Sequence, residues 1–302
     1  MGVLDSIGNT PLVKLETLNT NPRVKVFAKL EGNNPGGSVK DRIAYYMIKD
    51  AEETGRIKKG DTILEATSGN TGIGLAMVGA ALGYKVVLVM PECVSLERRK
   101  ILEAFGAELI LSPGNEGTDG AIKRARKMME ESPDGYFMPN QFDNPANILA
   151  HYETTGREII DHTNGDVDVF VSGMGTTGTL MGAGKRLKEF NRNIRVVGVE
   201  PVLGHKIQGL KNMQESIVPK IFNPAFPDEI IKVNDDDAFA TTRRLALQEG
   251  IFAGMSSGAA AFGALITAGR IERGTVVVIL PDRGDRYLST ALFTSVCAKC
   301  PP

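Results

Sequence analysis

Short apolar runs rich in Val and Ile alternate along this chain with longer segments of helical periodicity, and that alternation limits the available folds more than any other feature. The runs are VKVFAKL (24–30), TILEAT (62–67), KVVLVMP (85–91), AELILS (107–112), YFMPNQF (136–142), VDVFVSG (167–173), IRVVGVEP (194–201), EIIKV (229–233) and TVVVILPD (275–282). Between them lie helix-length stretches such as NTGIGLAMVGAALG, SLERRKILEAFG and DDDAFATTRRLALQEG. Near-continuous apolar strands are those covered on both faces, and strands joined by crossover helices run parallel. The pattern predicts an α/β protein. Its strands are too many for one comfortable sheet, so two open, mostly parallel twisted-sheet domains with helices on both faces are expected. The boundary is placed near Asp143 to Pro145, giving a smaller domain over 1–144 and a larger one over 145–302, with a cleft between them.

Composition excludes several function classes. At 302 residues, with 42% hydrophobic and 24% charged residues, the chain can bury a substantial core. Lys plus Arg (35) nearly balance Asp plus Glu (36), and no basic stripe of the kind that binds phosphate backbones is present, so nucleic acid is not expected as a partner. No apolar run is long enough to span a bilayer, and MGVLDSIGNTPL lacks the features of a signal peptide; no membrane association and a cytoplasmic address are expected. Three cysteines, Cys93, Cys297 and Cys300, are too few for a disulfide framework. The CAKC tail is assigned no metal or redox role, and no metal site is expected.

Ligands of open parallel sheets bind beyond the carboxyl ends of the strands, and three strand-to-helix junctions here are unusual. TILEATSGNTGIGLAM sets Thr67, Ser68, Asn70 and Thr71 around Gly69 and Gly72, so backbone amides, hydroxyls and a helix N-terminus converge as a cradle for a carboxylate or phosphate. VDVFVSGMGTTGTLMGAGKRL does the same with Gly173, Gly175, Thr176, Thr177, Gly178 and Thr179, and GIFAGMSSGAAAFGALI delivers Ser256 and Ser257 to the start of a small-residue helix. Any one of these loops alone is equally well read as helix capping. GMGTTG also matches G-x-G-x-x-G, with Glu200 closing the next strand where a ribose-binding acid would lie, so a dinucleotide-binding oxidoreductase is a distant alternative. Three threonine hydroxyls at one helix start instead suit a compact monophosphate, which accepts many hydrogen bonds at one place.

NNPGGSVKDR adds Lys40 at the start of a further helix, where the macrodipole opposes the ammonium form. That placement suits an amine that must attack an aldehyde and later act as a base. A lysine combined with a monophosphate cradle points to pyridoxal 5'-phosphate, which forms a Schiff base with a lysine amine.

Across nearly the whole chain, IGNTPLVKL, NNPGGSVKDR, EATSGNTGIGLAM, SLERRKILEAFGAELI, NQFDNPAN, HYETTGREI, GMGTTGT, EGIFAGMSSGA and DRGDRYLST resemble the cysteine synthase (O-acetylserine sulfhydrylase) family, within the tryptophan-synthase-β-like, fold type II pyridoxal phosphate enzymes. GNNPGGSVKDR, GMGTTGT and RGDRYLST resemble the B-type isozyme more than the A-type. The resemblance implies that Lys40 carries the cofactor and shuttles the proton. It implies that Asn70 bonds the cofactor's phenolic oxygen, that Gly175, Thr176, Thr177, Gly178 and Thr179 hold its phosphate, and that Ser256 faces its pyridine nitrogen. Thr67, Ser68, Gly69, Thr71 and Gln141 would bind the amino acid's α-carboxylate, beneath a mobile smaller domain whose first 35 or so residues cross to the larger one. The family resemblance further implies a homodimer and small-molecule substrates.

A hydroxyl opposite the ring nitrogen cannot stabilise a pyridinium as a carboxylate would, which favours elimination over long-lived carbanions. With that preference the family resemblance implies β-replacement: O-acetylserine and sulfide give L-cysteine through an aminoacrylate. Serine/threonine dehydration, cystathionine β-synthesis, an O-phosphoserine-dependent cysteine synthase and a non-catalytic amino-acid or nucleotide binding module are the alternatives. In B-type relatives an arginine near the active-site mouth is associated with anionic partners such as thiosulfate or O-phosphoserine. The matching position here is Lys211, which keeps the charge and loses the two-pronged hydrogen bonding. Asp41, Arg42, His151, His162 and His205 are expected in structural roles.

Overall fold

The computed structural model describes residues 2–67, 69–94 and 96–293; Ser68 and the tail cysteines Cys297 and Cys300 lie outside them. In chain order the first elements are β1 (Leu12–Lys14), β2 (Val24–Leu30), α1 (Lys40–Glu53), β3 (Thr62–Ala66), α2 (Asn70–Leu82), β4 (Lys85–Pro91), α3 (Leu96–Ala104) and β5 (Glu108–Ser112). There follow α4 (Gly117–Glu131), β6 (Tyr136–Phe137), α5 (Pro145–Ala150), α6 (Gly156–Thr163), β7 (Val169–Gly173) and α7 (Gly178–Phe190). The last are β8 (Arg195–Pro201), β9 (Glu229–Val233), α8 (Asp235–Glu249), α9 (Met255–Arg270) and β10 (Gly274–Leu280). The chain divides into two compact units, Met1–Ile7 with Asn34–Ala150, and Gly8–Asn33 with His151–Pro302.

The first unit is built on a four-stranded sheet in the order β5-β4-β3-β6, parallel throughout. Alternate side chains of β3 and β4 enter different cores, as the period of two requires. Ile63, Val86, Leu88 and Met90 pack with Ile43 and Met47 of α1, Leu75 of α2 and Ala150 of α5, whereas Leu64, Val87 and Val89 pack with Ala121 and Ala125 of α4. Each of these larger aliphatic side chains stabilises the fold by roughly 1.5–3 kcal/mol on full burial.

The second unit carries a six-stranded sheet in the order β1-β2-β10-β7-β8-β9, parallel except for the β1–β2 pair. Val276, Val278 and Leu280 of β10 face Met255, Ala259, Ala260 and Ala264 of α9, and Val277 and Ile279 face Leu180, Ala183 and Leu187 of α7. Helices therefore cover both faces of each sheet, as the apolar runs predict.

Two expectations of strand extent need correcting. YFMPNQF is a strand only over Tyr136–Phe137. Pro139 has no N–H for a ladder, and Asn140 turns the chain with φ +51. β1 was not expected: it is a three-residue edge strand just after Pro11, too short for an alternation to register.

Candidate active site

In the first unit, α1 begins at Lys40, whose N–H donates to Ser38 Oγ at 3.2 Å. The turn before it is closed by Asp41, whose Oδ2 accepts from Gly36 N at 2.6 Å, and by Gly37, which takes φ +81. α2 begins at Asn70 on the Gly69 N-cap, and no side chain caps it. Gly74, one turn further, lies against α1 so closely that a Cβ there would meet Lys40 O at 3.0 Å and Ala44 Cβ at 3.1 Å. This helix contact brings the α2 N-terminus next to the half-buried Lys40.

Thr67 Oγ1 accepts from Gly69 N at 3.3 Å and shapes the entry to α2. Thr71 donates from its hydroxyl to Gln141 Oε1 at 2.6 Å, and both side chains are buried. That bond fixes the Gln141 amide by its oxygen, which accepts from Thr71, so its two Nε2 donors are not used in this contact. The Gln141 backbone is fixed as well, with its carbonyl accepting from Asn147 Nδ2 at 2.8 Å. Thr67, Gly69, Asn70, Thr71 and Gln141 thus gather around one helix N-terminus beside Lys40, a donor-rich surface suited to a carboxylate.

Glu65, on β3 two residues before Thr67, is buried in this unit and was not singled out from the sequence. Its Oε2 accepts from Asn140 N at 2.8 Å. Burial pushes its carboxyl up to about 8, with the Asn140 and Gln141 N–H groups pulling the other way. The sequence signal was an acid inside an otherwise apolar strand.

In the second unit, Gly175 to Thr179 pass from β7 into α7, whose N-cap is Thr177. Thr177 takes φ +68, a costly region for a β-branched residue, and its hydroxyl is buried with no hydrogen-bond partner among the described residues. Gly175 lies so close to the Gly209 carbonyl oxygen that a methyl there would collide with it. Thr179 Oγ1 lies 3.2 Å from His151 Nε2, and His151 Nδ1 lies 2.9 Å from Thr155 Oγ1, so the ring steadies the first turn of α7. An orphaned hydroxyl, a strained backbone and a helix N-terminus without a side-chain cap fit a bound phosphate, which would supply the missing acceptors.

Ser256 lies in the first turn of α9, is 4% exposed, and has its side chain beside Gly209. The segment that includes Gly209 is tied to the loop between β7 and α7 by Lys211 N, which donates to Met174 O at 2.8 Å; the half-buried Lys211 therefore flanks the start of that loop. Glu200 does not have the role the dinucleotide alternative required. Its Oε1 accepts from Met213 N at 2.6 Å and its other oxygen pairs with Lys232, so the carboxyl braces the 211–214 segment. Among the described residues no cluster of side chains could hold a metal ion.

Residues 3–282 match the pyridoxal-phosphate dependent enzyme family. The cysteine synthase of Staphylococcus aureus (strain N315) is 51% identical over 300 residues, covering 95% of each chain. Cysteine synthase B of Salmonella typhimurium is 49% identical over 288 residues, covering 95% of this chain and 94% of its own. The crystal structure of a cysteine synthase from Entamoeba histolytica superposes with a TM-score of 0.92 at 42% identity, covering 100% of this chain and 91% of that one.

Proposed function

The chain belongs to the pyridoxal-phosphate dependent enzyme family, and we propose that it is a B-type cysteine synthase, a transferase that makes L-cysteine and acetate from O-acetylserine and sulfide. The observation that carries this reading is the presence of two donor sets, one in each unit, on a fold shared along its whole length with a cysteine synthase. One is the buried, orphaned Thr177 hydroxyl at the start of α7, suited to a phosphate; the other is the Thr71–Gln141 pair beside Lys40, suited to an amino-acid carboxylate.

When bound, pyridoxal phosphate supplies an electron sink that acidifies the α-proton of an attached amino acid. Gly175, Thr176, Thr177, Gly178 and Thr179 would hold the phosphate through first-turn N–H groups and hydroxyls, and Asn70 would bond the phenolic oxygen. Lys40 would carry the cofactor through its amine, take the α-proton as acetate leaves the β-carbon, and return a proton to the α-carbon after hydrosulfide adds at the β-carbon. Thr67, Ser68, Gly69, Thr71 and Gln141 would hold the α-carboxylate so that the α C–H bond faces that amine. Ser256 would face the ring nitrogen with a hydroxyl where a carboxylate would stabilise a pyridinium, which would favour elimination over other fates of the α-carbon.

The substrate is O-acetylserine rather than O-phosphoserine, because Lys211 offers one ammonium where a phosphate is best gripped by a forked guanidinium. Some activity with an anionic donor such as thiosulfate is expected to depend on Lys211. We place the enzyme in the cytoplasm as a homodimer; no described helix is long and apolar enough to cross a membrane. Purified protein incubated with pyridoxal phosphate should turn yellow, change colour on adding O-acetylserine, and release L-cysteine and acetate in equal amounts when sulfide is supplied. Pyruvate as the main product would mark a dehydratase, and protein that stays colourless would refute the enzyme.

A further inference from the structure

Glu65 is a carboxyl where its surroundings do not ask for one. It is 4% exposed on β3, the strand lying between β4 and β6; Leu64 and Ala66 pack into the apolar core beneath α4, so Glu65 shares the opposite face with the buried Ile63. Among the described residues no lysine, arginine or histidine forms an ion pair with it. A carboxyl buried without a cation is disfavoured unless hydrogen bonds compensate it. The bonds it has go to one place, the backbone of Asn140 and Gln141: Oε2 accepts from Asn140 N at 2.8 Å, and the Gln141 N–H also acts on the carboxyl.

The turn it grips contains a residue in the left-handed region. Asn140 takes φ +51, which presents successive N–H groups to the same side. Asn144 Nδ2 donates to Pro139 O at 2.8 Å and Asn147 Nδ2 donates to Gln141 O at 2.8 Å, so Gln141 is fixed through its carbonyl from α5 and through its N–H from β3. Its side chain then reaches Thr71 Oγ1 at 2.6 Å. β3 thus supports the start of α2 twice: directly, since Thr67 follows its last residue, Ala66, and through Gln141.

We propose that Glu65 is a positioning residue, whose buried carboxyl holds the 139–144 turn so that the Gln141 amide, bonded to Thr71, is aimed at the α-carboxylate of the amino-acid substrate. The proposal rests on the reading of Thr71 and Gln141 as the carboxylate site. Loss of the acceptor frees the turn and weakens amino-acid binding, and leaves sulfide, which bears no carboxylate, unaffected.

The test uses the holoenzyme and four variants: Glu65→Leu, Glu65→Gln, Gln141→Ala and the double variant Glu65→Leu/Gln141→Ala. Steady-state KM for O-acetylserine and for sulfide is measured, together with the calorimetric Kd for L-serine and the thermal midpoint. Glu65→Leu should raise KM for O-acetylserine and Kd for L-serine about tenfold, the scale of one lost buried hydrogen bond, with KM for sulfide unchanged. Glu65→Gln keeps an oxygen acceptor in the same shape and should restore both constants to within about twofold. The double variant should be no worse than Gln141→Ala alone, because both act through one amide. A lowered thermal midpoint in Glu65→Leu with unchanged constants, or additive effects in the double variant, would overturn the proposal. Should Glu65→Leu fail to fold, Glu65→Gln decides: constants as poor as those of Gln141→Ala would overturn it. If Gln141→Ala itself leaves O-acetylserine binding unchanged, the carboxylate-site reading fails, and the proposal with it.

Discussion

Replacing Glu65 by Gln should make the stability of this protein less sensitive to alkali, by an amount that follows from the burial of the carboxyl. Burial holds the folded Glu65 near 8 against 4.5 for an ordinary glutamate, so between these values the folded chain binds more protons than the unfolded one. The stabilising effect of the proton is fully present below the unfolded value and is lost as pH rises through the folded value. The slope reaches about 1.4 kcal/mol per pH unit, and the loss from about pH 6 to about pH 8 is roughly 2 kcal/mol. A carboxamide is neutral throughout and carries no such dependence. The assay is urea unfolding followed by circular dichroism for wild type and Glu65→Gln in matched buffers, where the contribution of every other titrating group cancels in the difference. The advantage of Glu65→Gln over wild type should grow by about 2 kcal/mol across that interval. Parallel pH profiles would refute the reasoning, since they would mean that Glu65 is charged in the fold at neutral pH.

Four further outcomes are expected. Lys40→Ala keeps the fold, since little buried apolar area is lost, and eliminates turnover with O-acetylserine and sulfide; β-replacement by a carefully washed variant would remove Lys40 from its role. Thr177→Ala removes a buried hydroxyl that has no partner in the protein, so the apo protein should melt no lower than wild type while pyridoxal phosphate affinity falls about tenfold in a cofactor titration. Gly175→Ala drives a methyl into the Gly209 carbonyl and should cost about 1–3 kcal/mol in denaturant unfolding together with loss of cofactor. Comparing kcat/KM for O-acetylserine and O-phosphoserine, each with sulfide and thiosulfate, Lys211→Ala should depress the anionic combinations selectively; four unchanged ratios would deny Lys211 a recognition role, and a wild type faster with O-phosphoserine would overturn the substrate assignment.

Runs such as KVVLVMP and TVVVILPD announce their strands because a parallel strand covered on both faces must be apolar at every position, and both are buried nearly end to end. The 136–142 run fails for a local reason, since Pro139 and the left-handed Asn140 convert an apparent strand into a turn. The junctions before α2 and α7 were legible as strand-to-helix turns because glycines and hydroxyl residues stand there between an apolar run and a helical stretch. Glu65 was not. Its meaning depends on Asn140, 75 positions away, and on Thr71 meeting Gln141 across 70 positions, contacts that only the folded sheet brings about. His151 was expected in a structural role, but its partner Thr179, 28 positions away, was not legible from the sequence.

Hydride reduction of the yellow protein followed by tryptic peptide mass analysis tests the central claim most directly, because it fixes the cofactor to whichever amine holds it. The account predicts that the pyridoxyl phosphate mass is found on LEGNNPGGSVKDR, residues 30–42, with cleavage after Lys40 blocked. The label on any other lysine, or no label in protein shown to bind pyridoxal phosphate, would contradict it.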